Sequence, residues 1–153
     1  MAKPRAGDPA PEFELEGTEG RFRLSEHRGQ RVVLLFYPGD NTPVCTRQFC
    51  SYRDDSDELA ALDAVVVGIS SQSVGSHRSF SEKNRLTVPL LADEDGAVAK
   101  AYGAHRGPLG TKRAVVIVDE KGNVAYRHDH ALGLDFQSAD DLREALKRLP
   151  ARV

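Results

Sequence analysis

The chain has 153 residues, 40% of them hydrophobic and 29% charged, with 21 Lys plus Arg against 23 Asp plus Glu and a formal net charge of -2. That length suits one domain, so a single core over residues 1–153 is expected. Charges of both signs are interspersed, with no basic block and no long apolar run, which argues against a nucleic-acid surface, an anionic-membrane surface or a membrane span.

Met1 to Glu12 carries Lys3, Arg5, Asp8 and three prolines but no apolar run of signal-peptide length, and a cytoplasmic location is expected. Phe13–Leu15 and Arg21–Leu24 alternate around Gly17-Thr-Glu-Gly20, which predicts an N-terminal β-hairpin. Val32–Tyr37 is a continuous apolar run ended by Pro38-Gly39, the pattern of a strand buried on both faces. Thr42-Pro43 is a favourable helix opening, because threonine caps and proline is preorganised at the first helical position. From there Cys45, Phe49, Tyr52, Leu59 and Leu62 fall near helical spacing. One helix is predicted, with Cys45 on its core-facing stripe in the first turn.

Val65–Ile69 repeats the buried-strand pattern, Ser73 can cap a helix reaching about Asn84, and Pro89–Leu91 reads as a short strand. Ala97–Tyr102 is a short helix. Ala114–Val118 and Val124–Arg127 are joined across the turn-rich Asp119–Asn123, which suits an antiparallel hairpin. Ser138 to Asp141 resembles a capping box ahead of Leu142, Leu146 and Leu149. Strands alternating with helices and then a hairpin and a helix predict an α/β fold, a mixed central sheet flanked by helices. That order is compatible with a thioredoxin-like fold.

The chemistry concentrates where the first buried strand ends and the helix begins. With Thr42 as N-cap, Cys45 is the third helical residue, among unpaired backbone N–H groups and the positive end of the helix dipole, where a thiolate is stabilised. Taken alone, Cys45 also fits a small apolar cysteine filling space in a core. Cys50 changes that balance. Five residues on, it lies about 140° round the helix and about 7.5 Å along it, so the Cα atoms are roughly 8 to 9 Å apart, too far for a disulfide without movement. A permanent bridge is disfavoured, as is a dithiol pair of the Cys-x-x-Cys kind, whose short spacing lets it close with little change. Arg113 and Lys112, read alone, are solvated charges at a strand end. Gln48 fits two readings, a partner that orients Arg113 or a polar residue on the helix surface.

The stretch Tyr37-Pro-Gly-Asp-Asn-Thr-Pro-Val-Cys-Thr46, followed by Gln48 and Cys50, resembles the peroxiredoxins, most closely the bacterioferritin comigratory protein or peroxiredoxin Q group. Pro38, Thr42 and Cys45 meet the family pattern Pro-x-x-x-Thr-x-x-Cys, and similarity continues through Gly68-Ile-Ser70, Val88–Gly96 and Ala101-Tyr-Gly103. The resemblance implies a peroxidase that reduces hydrogen peroxide and organic hydroperoxides, with Cys45 as nucleophile and Cys50 as the resolving thiol. It implies a hydroxyl from Thr42, a shield from Pro38, a catalytic arginine in Arg113, and a Cys45–Cys50 disulfide returned to thiols by thioredoxin or a similar dithiol. No cofactor is needed, because sulfur carries the electrons, and a monomer or weak homodimer is expected. The alternatives on the same residues are a redox sensor or holdase that uses the thiol switch, and a thiol–disulfide oxidoreductase. Val44 stands where the group has glycine, so a bulkier side chain flanks the pocket mouth. His128 and His130 share a strand face without an evident third ligand, so no metal site is expected. His27, His77 and His105 are isolated and expected at the surface.

Overall fold

The fold is described by a computed structural model for residues 3–105, 110–130 and 136–149. In chain order come β1 (Glu14–Gly17), β2 (Gly20–Arg23), a 3₁₀ turn (Leu24–His27), β3 (Arg31–Phe36), α1 (Pro43–Asp54), α2 (Ser56–Ala60) and β4 (Ala64–Ser70). They are followed by α3 (Val74–Asn84), β5 (Leu90–Ala92), α4 (Ala97–Ala101), β6 (Ala114–Val118), β7 (Val124–Asp129) and α5 (Ala139–Lys147). The strands form a mixed sheet in the order β2-β1-β5-β4-β3-β6-β7. β3, β4 and β5 run parallel, and β6 returns antiparallel against β3 with Phe36 opposite Ala114.

Because side chains alternate across a strand, β3 supplies both layers of the core. Val32, Leu34 and Phe36 pack with Phe13, Phe22, Leu24, Val98 and Tyr102 on one face. Val33, Leu35 and Tyr37 pack on the other with Cys45, Phe49, Tyr52, Phe80, Leu142 and Leu146, which α1, α3 and α5 contribute. α1 lies close to the sheet because residue 68 is glycine. A Cβ there would sit 2.9 Å from the Phe49 ring and 2.9 Å from Leu90, closer than side-chain carbons approach.

Two expectations need correction. The single helix expected from Cys45 to Leu62 is broken at Asp55, whose φ of -100° and ψ of 30° leave the helical region. The acidic run explains the break: Asp54 and Asp55 oppose the negative end of the α1 dipole, while Asp57 and Glu58 favour the start of α2. The second concerns His77, which is buried, not at the surface. It shares the inward stripe of α3 with Phe80. The capping box of α5 is present, with the Asp141 N–H donating to Ser138 Oγ and the Ser138 N–H to the Asp141 carboxylate. Among the described residues no helix is long and apolar enough to cross a membrane.

The end of β7 is fixed by charge. Asp129 receives Lys3 Nζ at 3.0 Å, Lys112 Nζ at 3.1 Å and Arg127 Nε at 3.0 Å, and Arg127 also donates to the backbone oxygens of Tyr102 and Gly103. Burial pushes the Asp129 carboxyl up, but the hydrogen bonds from Arg127, Lys3 and Lys112 outweigh it and hold it far below the usual carboxylate range. A depressed folded-state value means the stabilisation is complete above the unfolded value, about pH 3.9, and is lost as the pH falls below it. Asp129→Asn is therefore expected to cost about 1 to 3 kcal/mol at neutral pH. Urea unfolding measured from neutral pH into acid should show the gap between wild type and variant closing below about pH 4.

Candidate active site

The site forms where β3 ends and α1 begins. Tyr37 and Gly39 are buried and Pro38 is exposed where the loop meets solvent, so the chain leaves the sheet and turns back within a few residues. Asn41 makes the reversal with a φ of 62°, a left-handed conformation that asparagine tolerates better than most residues. Thr42 occupies the N-cap position and Pro43 the first helical position, as the sequence predicts. The threonine side chain departs from that expectation. It makes no capping bond to the helix, and its hydroxyl instead donates back to the Gly39 carbonyl at 3.0 Å. Its proton is thereby committed, and its oxygen remains able to accept from a ligand.

Cys45 sits in the first turn of α1 and is completely buried, against the same core layer as Tyr37, Phe49 and Tyr52. Arg113, immediately before β6, is only 1% exposed. The solvated-charge reading of Arg113 therefore fails. The pairing of β6 with β3 carries it to the strand end that launches α1, and its Nη2 donates to Cys45 Sγ at 3.0 Å. The planar guanidinium fork offers further donors beside the sulfur in fixed directions.

Gln48, left open between two roles by the sequence, is buried one turn after Cys45 and accepts from Arg113 Nη1 through Oε1. Its Nε2 donates to the Tyr52 hydroxyl at 3.0 Å, and Tyr52 donates onward to the Gln137 backbone oxygen. Cys45, Gln48 and Tyr52 thus form one inward stripe of α1 that holds the arginine in place. Burial, first among the causes, raises the Tyr52 phenol well above its ordinary value, so it stays a neutral hydrogen-bonding hydroxyl.

Cys50 lies in the same unbroken helix, half-buried, with Sγ 3.8 Å from Asn84 Oδ1 at the end of α3. Both cysteines are free thiols. Cys45 Sγ thus meets Arg113 while Cys50 Sγ meets Asn84, so the two sulfurs have different neighbours.

A second buried cluster adjoins the loop and was missing from the sequence reading. Asp40 accepts from the Tyr37 hydroxyl at 2.7 Å and from Ser76 Oγ at 2.7 Å, and lies 2.7 Å from His77 Nδ1. Burial raises the Asp40 carboxyl, but hydrogen bonds from His77, Tyr37 and Ser76 outweigh it and leave it below the usual range. The available signal was the spacing of His77 and Phe80 on one helical face, which places an imidazole inside. His128 and His130 meet edge to face, with ring centroids 4.5 Å apart. Among the described residues no group of three or more possible metal ligands forms.

Comparison with known proteins bears on this arrangement. The model of the AhpC/TSA family matches residues 6–127. The chain is 36% identical over 126 residues to peroxiredoxin Bcp of Bacillus subtilis, covering 77% of this chain and 80% of that protein. It is 38% identical over 144 residues to the chloroplastic peroxiredoxin Q of Triticum aestivum, covering 92% of this chain and 64% of that protein; the chain thus spans under two thirds of the wheat relative. The crystal structure of peroxidoxin BcpB from Mycobacterium tuberculosis superposes with a TM-score of 0.84 at 34% identity, covering 97% of this chain and 99% of that one. The thioredoxin-like architecture expected from the sequence is the one these relatives share.

The contact between Arg113 and Cys45 predicts a measurable reactivity. A hydrogen bond to a charged group contributes about 1.5 to 3 kcal/mol, so Arg113→Ala in a Cys50→Ser background should slow alkylation of Cys45 by iodoacetamide about ten- to a hundredfold at neutral pH. Pseudo-first-order labelling followed by mass spectrometry checks this, and an unchanged rate would remove Arg113 from the thiolate's environment.

Proposed function

The chain belongs to the AhpC/TSA family, alongside relatives of the peroxiredoxin Q and Bcp kind, and from that premise we propose that it is a thiol peroxidase using Cys45 as nucleophile and Cys50 as resolving thiol. The observation that carries the proposal is the completely buried Cys45 Sγ held 3.0 Å from the Arg113 guanidinium, in the first turn of a helix whose N-cap is Thr42.

In the proposed cycle the Cys45 thiolate attacks one oxygen of a hydroperoxide. A sulfur–oxygen bond forms as the oxygen–oxygen bond breaks, and the departing oxygen takes a proton to leave as water or an alcohol. Arg113 stabilises charge moving onto that oxygen, Thr42 accepts from the peroxide's O–H, and Pro38 shields the mouth of the pocket. Cys50 then attacks the sulfenic acid sulfur, expelling water and forming a Cys45–Cys50 disulfide. An external dithiol of the thioredoxin type returns both thiols by two exchange steps and is itself oxidised.

Resolution requires movement, since a regular helix keeps the two Cα atoms roughly 8 to 9 Å apart and a disulfide tolerates at most about 6.8 Å. The first turns of α1 must therefore unwind, giving up the Arg113 contact and the packing of Phe49 against Tyr37, 4.7 Å away between ring centroids. This cost keeps the reduced helix formed and reserves the disulfide for the oxidised state. It also weighs against an ordinary dithiol oxidoreductase, which needs its pair poised to close.

Cys45→Ser should abolish peroxide consumption with the fold intact, and one equivalent of hydrogen peroxide should give wild type a disulfide joining the Cys45 and Cys50 peptides. Amide hydrogen exchange across Val44 to Tyr52 should accelerate on disulfide formation. Cys50→Ser should form the sulfenic acid without that acceleration. Turnover by Cys45→Ser within a fewfold of wild type would remove the nucleophile, and full protection of the oxidised segment would remove the unwinding step.

A further inference from the structure

The cluster around Asp40 belongs to no step above, yet it grips the loop that carries Pro38 and Thr42. We infer that His77 is a positioning residue for the peroxide site: acting through Asp40, it fixes the peptide between Gly39 and Asp40, and with it the direction in which Thr42 presents its hydroxyl oxygen. The inference rests on the peroxidase reading.

The proton arrangement follows from the acceptors. His77 Nε2 lies 3.0 Å from the Leu91 backbone oxygen, which can only accept, so Nε2 carries a proton. Nδ1 lies 2.7 Å from Asp40 Oδ2, which requires a second proton shared between ring and carboxylate. The carboxylate also accepts from the hydroxyls of Tyr37 and Ser76. Asp40 is 5% exposed and His77 is 0% exposed, so removing the imidazole leaves the buried carboxylate with two hydroxyl donors and without its charge-assisted partner. Tyr37 stands at the end of β3, Ser76 and His77 on α3, and Leu91 on β5; the loop is therefore tied to three fixed elements through one side chain.

What that side chain holds is a single planar unit. The carbonyl of the Gly39–Asp40 peptide accepts the Thr42 hydroxyl at 3.0 Å, and its N–H donates to Gln72 Oε1. Rotation of this plane withdraws the acceptor that commits the Thr42 proton, and Thr42 then no longer offers its oxygen to the peroxide. The next residue, Asn41, keeps a φ of 62°, a conformation retained where the surroundings over-determine it. Cys45 and Arg113 are held separately through Gln48, so the two halves of the site can be perturbed independently.

The test compares two reactions of Cys45 in the full chain. Oxidation by hydrogen peroxide, followed by stopped flow, uses Thr42, whereas alkylation by iodoacetamide reports only thiolate and access. A misplacement of about 1 Å costs up to about a hundredfold in rate, so His77→Ala should slow peroxide oxidation about ten- to a hundredfold and change alkylation less than about threefold. His77→Asn keeps an N–H where Nδ1 stands and should recover most of the peroxide rate, while His77→Gln reaches towards Leu91 and should not. Ser76→Ala, which removes one donor to Asp40 from a half-buried position, should slow oxidation about two- to fivefold with alkylation unchanged. The inference is overturned if folded His77→Ala oxidises at the wild-type rate, if its two rates fall in parallel, or if His77→Gln recovers as much as His77→Asn. Should His77→Ala fail to fold, an unchanged peroxide rate in Ser76→Ala overturns it. Wild type reacting with peroxide no faster than free cysteine would overturn the peroxidase reading instead.

Discussion

A guanidinium buried to 1% exposure is the constraint on which the rest of this site depends. Arginine cannot shed its charge, so burial is tolerated only where hydrogen-bond acceptors surround it. Here Cys45 Sγ and Gln48 Oε1 accept from it, and the tyrosine beneath Gln48 completes the chain of bonds down the inward face of α1. The sulfur is thus part of what satisfies the arginine, and the arginine is part of what holds the sulfur at the start of α1. Each supports the other, which couples the stability of the first helical turns to their chemistry.

The sheet brings the two together. β6 pairs antiparallel with β3, so the residue before β6 lies beside the residues after β3, and α1 starts at that same edge. Gly68 admits Phe49, which lets α1 lie close enough to the sheet for the contact at its N-terminus to form. A larger residue there would lift the helix and lengthen the Arg113 to Cys45 distance without touching either.

The loop from Pro38 to Thr42 is held from the opposite side by the Asp40 cluster, and the helix after it by Gln48 and Tyr52. In the proposed cycle only the helix moves when the disulfide forms. A division of this kind would keep the loop in register while the Cys45 segment unwinds, so that the proposed cycle rebuilds the same site after every turnover.

The sequence by itself determined the element order, because hydrophobic periodicity is local: the runs Val32–Tyr37 and Ala114–Val118, the Thr42-Pro43 helix start and the Ser138 capping box all appear in the structure within a residue or so. It also marked Cys45 and Cys50, since their spacing on a helix follows from residue numbers alone. It misread the helix beyond Asp54, where the acidic run outweighed the apolar spacing, and it placed His77 outside although its face of α3 points inward. Burial, the partners of Gln48 and Arg113, and the Asp40–His77 pairing at 2.7 Å were decided by tertiary structure alone. These contacts join residues 37 and 65 and 68 positions apart in the chain. A polar side chain's environment is set by which strands pair and which helix covers them, and no local pattern of residue types encodes that.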